Sequence, residues 1–459
     1  MMREHFKKLL ILFIFISITS AYSSNKCKPE YQTPEIPTIV SSDEKLKNPV
    51  YVFYDSSLSM TGFTRSQDEE TNIFRPIINE LQQISQSLGT ETIYNTFGSR
   101  FETIDENRAS LVTTESFYTC TQSAQACVKK DKKNDIHKVL NGVTRDIDST
   151  YIIVTDLFLS TSETLGKNSK KIKNPLRKIF NSGKSIGIFG VSSSFNGKIS
   201  GIPTEGGLGS ASYSSATTRP FYIIVIGSGE NVDFVKKKLV KNEKYKDSYK
   251  FLMVTSNVVS KNLNTIEDLT KDNLINVNPE SEGYKIEYDE NNVPTFRFKI
   301  SRRAIKKLKF EINNDDFIIP GSNGVSEYNI EQQLWSLRDP SCKKQNWGKA
   351  TVKDFINVDS NNKTHLSLDF FNDKKIKWGY RYFILANIYT KKNGTSSQDD
   401  FEEWNLTADS AASYLQQEPK FFKTLNLMNL IKMFNDVANE EFKPSLIASI
   451  KLDFDLEKK

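Results

Sequence analysis

Asp55, Ser57 and Ser59 place one carboxylate and two hydroxyls within five residues, in the run Asp55-Ser56-Ser57-Leu58-Ser59. Oxygen donors of this kind suit a hard divalent cation, Mg²⁺ or Mn²⁺ first and Ca²⁺ next, whereas a softer metal would want His or Cys. Neither lies near this loop. A second acid, Asp156, ends the apolar run Tyr151-Ile152-Ile153-Val154-Thr155. Short hydroxyl-rich runs also serve as turn and N-cap chemistry, with side chains bonded to local backbone N–H groups. The loop alone therefore leaves a metal site and a plain turn equally open.

The elements around these residues narrow the choice. Asp55 follows the apolar run Val50 to Tyr54, and an acidic loop at the C-terminal end of a buried parallel strand sits where open α/β sheets bind ligands. Ile73, Ile77, Leu81, Ile84 and Leu88 fall at helical spacing, Glu91 to Phe97 is β-prone, and Ile136 to Ile147 is helical again. Helices alternating with strands imply a parallel sheet with crossovers. The pattern continues through a short helix at Pro175 to Asn181, strands at Ser185 to Val191 and Phe221 to Ile226, and a helix from Val232 to Val240. Between the last two strands, Ser192 to Thr218 is dense in Ser, Gly and Thr. It reads as a long loop on the Asp55 side of the sheet, either a lid or a solvated insertion. Gly227-Ser228-Gly229 lacks the third glycine of a dinucleotide fingerprint and reads as a turn before a capped helix.

Asp55, Ser57 and Ser59, with Met60 and Gly62 after them and Asp156 on a later strand, resemble the metal-ion-dependent adhesion site of von Willebrand factor A (VWA) domains. The resemblance covers roughly residues 49–240. It implies an α/β fold with a doubly wound, mostly parallel, Rossmann-like sheet. It also implies a metal held by Ser57 and Ser59, with Asp55 and Asp156 behind it through water, and one position open for an acidic side chain of a protein partner. The family places a Thr before the helix that precedes the second acid, and here that position is Asn134, followed by Asp135. Either residue could complete the shell, with changed charge and geometry. Two readings follow: a metal-assisted protein-binding or adhesion module, or a VWA-fold structural protein whose metal site has degenerated. No catalytic function is expected, because no Gly-x-Ser-x-Gly elbow appears and the contexts of His137 and His365 suggest a helix surface and a strand.

At 459 residues the chain exceeds a single core, and two domains are expected. A VWA-like domain is expected over 49–245, a connection over 246–283 and a β-rich, sandwich-like domain with one helix over 284–459. The β-prone runs there are Thr295–Ile300, Leu308–Ile312, Thr351–Ile356, His365–Phe371 and Tyr380–Tyr389. The helix is expected at Phe421 to Val437, and a last strand, Leu446 to Phe454, is expected to close a sheet begun much earlier.

Hydrophobic residues at 37% and charged residues at 26% describe an ordinary soluble protein. Arg3, Lys7 and Lys8 precede the apolar run Leu9 to Ile18, and small residues follow, the order of a signal peptide over 1–23. The run is shorter than the ~20 residues of a membrane span. Export to the periplasm, cell envelope or medium is therefore expected, with residues 24–48 as a Pro-containing linker. Membrane association would come only from an uncleaved anchor or from a lipid on Cys27. In an oxidising compartment Cys120 and Cys127 can pair, as can Cys27 and Cys342. Removing residues 1–23 leaves 59 basic against 55 acidic residues, or +4, a weak case for a polyanionic partner. The basic cluster at Arg302, Arg303, Lys306, Lys307 and Lys309 lacks aromatics spaced to stack on bases, so no nucleic acid is expected. N-terminal sequencing of the exported protein is expected to find a start between Ala21 and Lys26; retention of Met1 would mean an uncleaved anchor.

Overall fold

The computed structural model describes residues 48–66, 70–98, 101–119, 135–146, 148–159, 161–204, 206–241, 248–256, 259–260, 275–277, 284–288, 294–300, 309–312, 317–318, 328–338, 347–350, 356–359, 364–368, 377, 379–390, 399–417, 419–442, 444 and 446–456. The signal segment, residues 24–47 of the linker, all four cysteines, Asn134, Arg302, Arg303, Lys306 and Lys307 lie outside the described residues.

The first half is a seven-stranded sheet in the order β3-β2-β1-β4-β6-β5-β7. Its strands are β1 (Val50–Asp55), β2 (Thr92–Phe97), β3 (Phe101–Ile104), β4 (Thr150–Thr155), β5 (Ser185–Thr204), β6 (Gly207–Gly227) and β7 (Tyr249–Thr255). Alternation along the strands sends Val52, Tyr54, Ile152, Val154, Ile223 and Val225 to one face, where they meet helices α1 (Phe74–Leu88) and α4 (Gly229–Val240). Phe53, Tyr151, Ile153, Ile224 and Ile226 point the other way, onto α2 (Ile136–Val143) and α3 (Lys170–Asn181). The fold is thus a mixed α/β sheet covered by helices on both faces. The expected helical stripe of α1 is its buried face, each side chain worth about 1.5–3 kcal/mol of burial.

Only β2, β1 and β4 run parallel as neighbours, and every other pairing is antiparallel. The sheet is therefore mixed, and the parallel expectation holds for β2, β1 and β4. The cause is the segment Ser192 to Thr218. Instead of a loop it forms the outer half of a long β5–β6 hairpin, which returns beside β4 with no crossover helix. Ser and Gly have low strand propensity, but packing of Phe195, Ile199 and Ile202 into the core overrides it.

The expected C-terminal strands form where they are described. A six-stranded sheet runs in the order Tyr284–Tyr288, Pro294–Ile300, Leu446–Leu456, Arg381–Thr390, Tyr328–Leu337, Gly348–Ala350. The last strand sits inside it, parallel to Pro294–Ile300 and antiparallel to Arg381–Thr390, closing a sheet begun at Tyr284. Helices α5 (Ala408–Gln416) and α6 (Leu427–Glu441) belong elsewhere. Leu430, Ile431, Phe434 and Val437 of α6, with Phe401 and Trp404, share the core of β4–β7 and α3. The helix begins later than the sequence suggests because Phe421 bridges to Thr218, and Thr424–Leu425 pairs with Asn405–Leu406.

A pair of glycines lets the hairpin and the helix after the Asp55 loop approach closely. A Cβ on Gly197 of β5 would stand 2.7 Å from Cα of Gly62, in the short helix Thr61–Arg65 that follows the Asp55 loop. Gly197→Ala is expected to destabilise by about 1–3 kcal/mol through overpacking. Gly142→Ala, in α2 with open space around it, is expected to be neutral or stabilising by up to about 1 kcal/mol. Denaturant melts of the two variants check both.

Candidate functional site

The C-terminal ends of β1 and β4 make an acidic pole. The register sets Tyr54 beside Val154, so the next residues, Asp55 and Thr155, are neighbours. Thr155 Oγ1 donates to Asp55 Oδ2 at 2.7 Å, and the Ser57 amide donates to Oδ1 at 2.9 Å, an Asx turn. Ser56 is tied to β2 by its amide and hydroxyl, both donating to the Phe97 carbonyl. The loop is thereby fixed with the Ser57 and Ser59 hydroxyl oxygens 3.0 Å apart.

Asp156 follows Thr155 and is fully buried, as is Asp55. The chain turns sharply after it, with Leu157 at a left-handed φ of 48°, a conformation that costs a branched residue roughly 1–3 kcal/mol. Asp156 Oδ2 accepts a hydrogen bond at 2.8 Å from Nη2 of Arg219, whose side chain is wholly buried. Four phenylalanine rings surround this guanidinium. Its Cζ lies 5.1 Å from the ring centre of Phe195, 5.8 Å from Phe422, 5.9 Å from Phe63 and 6.0 Å from Phe158. Desolvated cation–π contacts of this kind are worth about 2 kcal/mol or more. Arg219 Nε and Nη1 have no hydrogen-bond partner among the described residues, and the rings are what they face.

Burial pushes the Asp55 carboxyl up to about 7, helped by the nearby Asp156 charge and opposed by the Ser57 and Thr155 hydrogen bonds. The upward shift favours a protonated Asp55, which lowers the negative charge beside the Asp156–Arg219 pair. That is the arrangement a buried site favours.

Asp55, Ser57, Ser59 and Asp156 are therefore brought to one pole, as their spacing suggests. Asp135 caps the start of α2 and is held by Lys138 at 2.7 Å. No group of three His, Cys, Asp or Glu side chains suited to a metal occurs among the described residues. Of the residues the resemblance assigns to a metal shell, the Ser57–Ser59 pair has suitable spacing. Asp156 does not fit, because a buried guanidinium already neutralises it and would repel a divalent ion beside it.

Arg219 carries the site and escaped the sequence reading. Its signal was present: between Lys198 and Glu230 the chain has only two charged residues, Glu205 and Arg219, and Arg219 immediately precedes an apolar strand. A cleft of about 600 Å³ lies elsewhere, between α2 and β1–β3, lined by Tyr51, Phe53, Phe101, His137, Arg145 and Tyr151. It shares no residue with the pole. Comparison of the chain with protein-family models, with curated proteins and with solved structures gives no match.

The Asp55 shift has a definite sign in stability. From about pH 4, where an unfolded Asp loses its proton, to about 7, the folded chain retains a proton that the unfolded chain has released. Stability from this group is full below that window and is lost as pH rises through it. Asp55→Asn is expected to flatten this part of the profile, so that wild type minus variant stability falls steadily from pH 4 to 7 in denaturant melts.

Proposed function

We propose that the chain is an exported, VWA-like protein that acts in the cell envelope, periplasm or medium as a protein-binding scaffold, with no divalent ion at its acidic pole. The observation that carries this reading is the buried ion pair between Arg219 and Asp156, 2.8 Å long and enclosed by four Phe rings. It supplies inside the chain the positive charge that the second acid would otherwise take from a metal. Support for the VWA likeness comes from the Asp-x-Ser-x-Ser loop at the end of β1 and the second acid just beyond the adjacent parallel strand. Support for a non-enzymatic role comes from the pole itself. Among the described residues it holds two acids, hydroxyls and a sequestered arginine, with no histidine hydrogen-bonded to a hydroxyl to activate it.

One observation favours the metal-assisted reading. The 3.0 Å between the Ser57 and Ser59 oxygens matches adjacent corners of an octahedron with bonds of about 2.1 Å. In that reading Ser57 and Ser59 hold Mg²⁺ or Mn²⁺, and an acidic side chain of the partner takes the open position.

Thermal melting separates the two. A bound ion at 100 times its dissociation constant adds about 2.7 kcal/mol. The melting temperature is expected to be the same in Mg²⁺, Mn²⁺ and chelator, and partner capture from envelope extract is expected to survive chelation. A metal-induced rise that Asp55→Ala abolishes would replace this reading with the metal-assisted one.

A further inference from the structure

One stretch of this chain carries as much net charge as the whole. Residues 161–184 contain seven basic residues against one acid, Glu163, a net of +6. The whole chain also has a net charge of +6, so the other residues sum to zero. This stretch is the turn leading into α3 and α3 itself. The helix buries Ile172, Leu176, Ile179 and Phe180 against the sheet, and that packing turns its cations outward. Lys170, Lys171 and Lys178 are exposed, while Lys173 and Arg177 are half-buried. Among the described residues the acids that meet this face are Glu440 and Glu441 of α6, both on Arg177, at 2.8 and 3.7 Å.

A solvated basic face alone would call for no partner. A second feature points to one. Leu165, in the turn just ahead of Lys170, is 65% exposed, one of three large apolar side chains left in solvent among the described residues. An apolar side chain beside a cluster of cations suits a surface with anionic headgroups over hydrocarbon. It does nothing for a soluble polyanion. Single-stranded nucleic acid would want aromatic rings to stack on, and the stretch has only Phe180, which is 1% exposed and packed inside.

We propose that α3 and the Leu165 turn form a docking face for an anionic lipid bilayer, with the lysines over lipid phosphates and Leu165 inserted between headgroups. No helix among the described residues is long and apolar enough to cross a membrane. The docking face is independent of the acidic pole and of any metal there.

The test is co-sedimentation of the exported chain with vesicles of phosphatidylcholine, with and without phosphatidylglycerol, over a salt series. Binding is expected only with phosphatidylglycerol and is expected to weaken as salt rises. Each cation at such a surface is worth about fivefold in affinity, so Lys170→Glu with Lys171→Glu should weaken binding at least ~25-fold. Lys178→Glu should weaken it by about fivefold or more. Leu165→Ser should weaken it roughly tenfold while leaving the salt dependence. All four positions are exposed, and unchanged melting temperatures would assign the losses to docking. Equal binding to both vesicle types, wild-type binding by the charge-reversal variants, or retention on heparin or DNA with no vesicle binding would each overturn the proposal.

Discussion

The buried pair between Arg219 and Asp156 is the constraint on which the rest of the first body depends. Two charges with no solvent access are stable only if they are closely paired and their surroundings are complete, and removing one partner of such a pair costs about 3–5 kcal/mol. The surroundings come from four separated parts of the chain. Phe63 is on the short helix after the Asp55 loop, Phe158 follows β4, Phe195 is on β5, and Phe422 lies in the C-terminal segment. The pair therefore ties together the acidic loop, the hairpin and the returning chain.

Other features of the pole follow from that tie. Phe195 can reach its place because Gly62 and Gly197 allow the short helix and the hairpin to touch. The left-handed Leu157 turns the chain just after Asp156. Thr218 exchanges hydrogen bonds with Lys420 and Phe422, which ties the middle of β6 to the C-terminal segment and brings Phe422 over Arg219. Tyr222 donates to Thr424 within the core at 2.8 Å, and Asn426 donates to the Leu159 carbonyl. The acidic pole is thus enclosed by protein on the side where β6 and the C-terminal segment meet.

The basic character of α3 has the opposite origin. Its apolar residues at positions 172, 176, 179 and 180 are used up in covering the sheet, and what remains faces water. Two parts of one molecule are thereby built on different physics. The pole buries its charge and neutralises it internally, while α3 displays charge that the rest of the chain does not balance.

The sequence by itself determined the local elements and the identity of the pole. Periodicity placed α1 and α2 on their apolar stripes, α3 begins at Lys170, five residues ahead of its expected start at Pro175, and the runs at Val50–Tyr54 and Tyr151–Thr155 became neighbouring parallel strands. Asp55, Ser57, Ser59 and Asp156 met because each follows a strand whose partner is set by simple crossover rules. Tertiary structure decided what periodicity does not encode. Ser192 to Thr218 looks like a loop one residue at a time, and it became strand because its partner lies in the same hairpin and its few large side chains reach the core. Residues 399–441 carry no local sign that they pack on β4–β7. Arg219 is 63 residues from Asp156, and only the fold turns an arginine before a strand into the counter-ion of that acid. Long-range pairing of charge is a property of contacts, and sequence separation hides it.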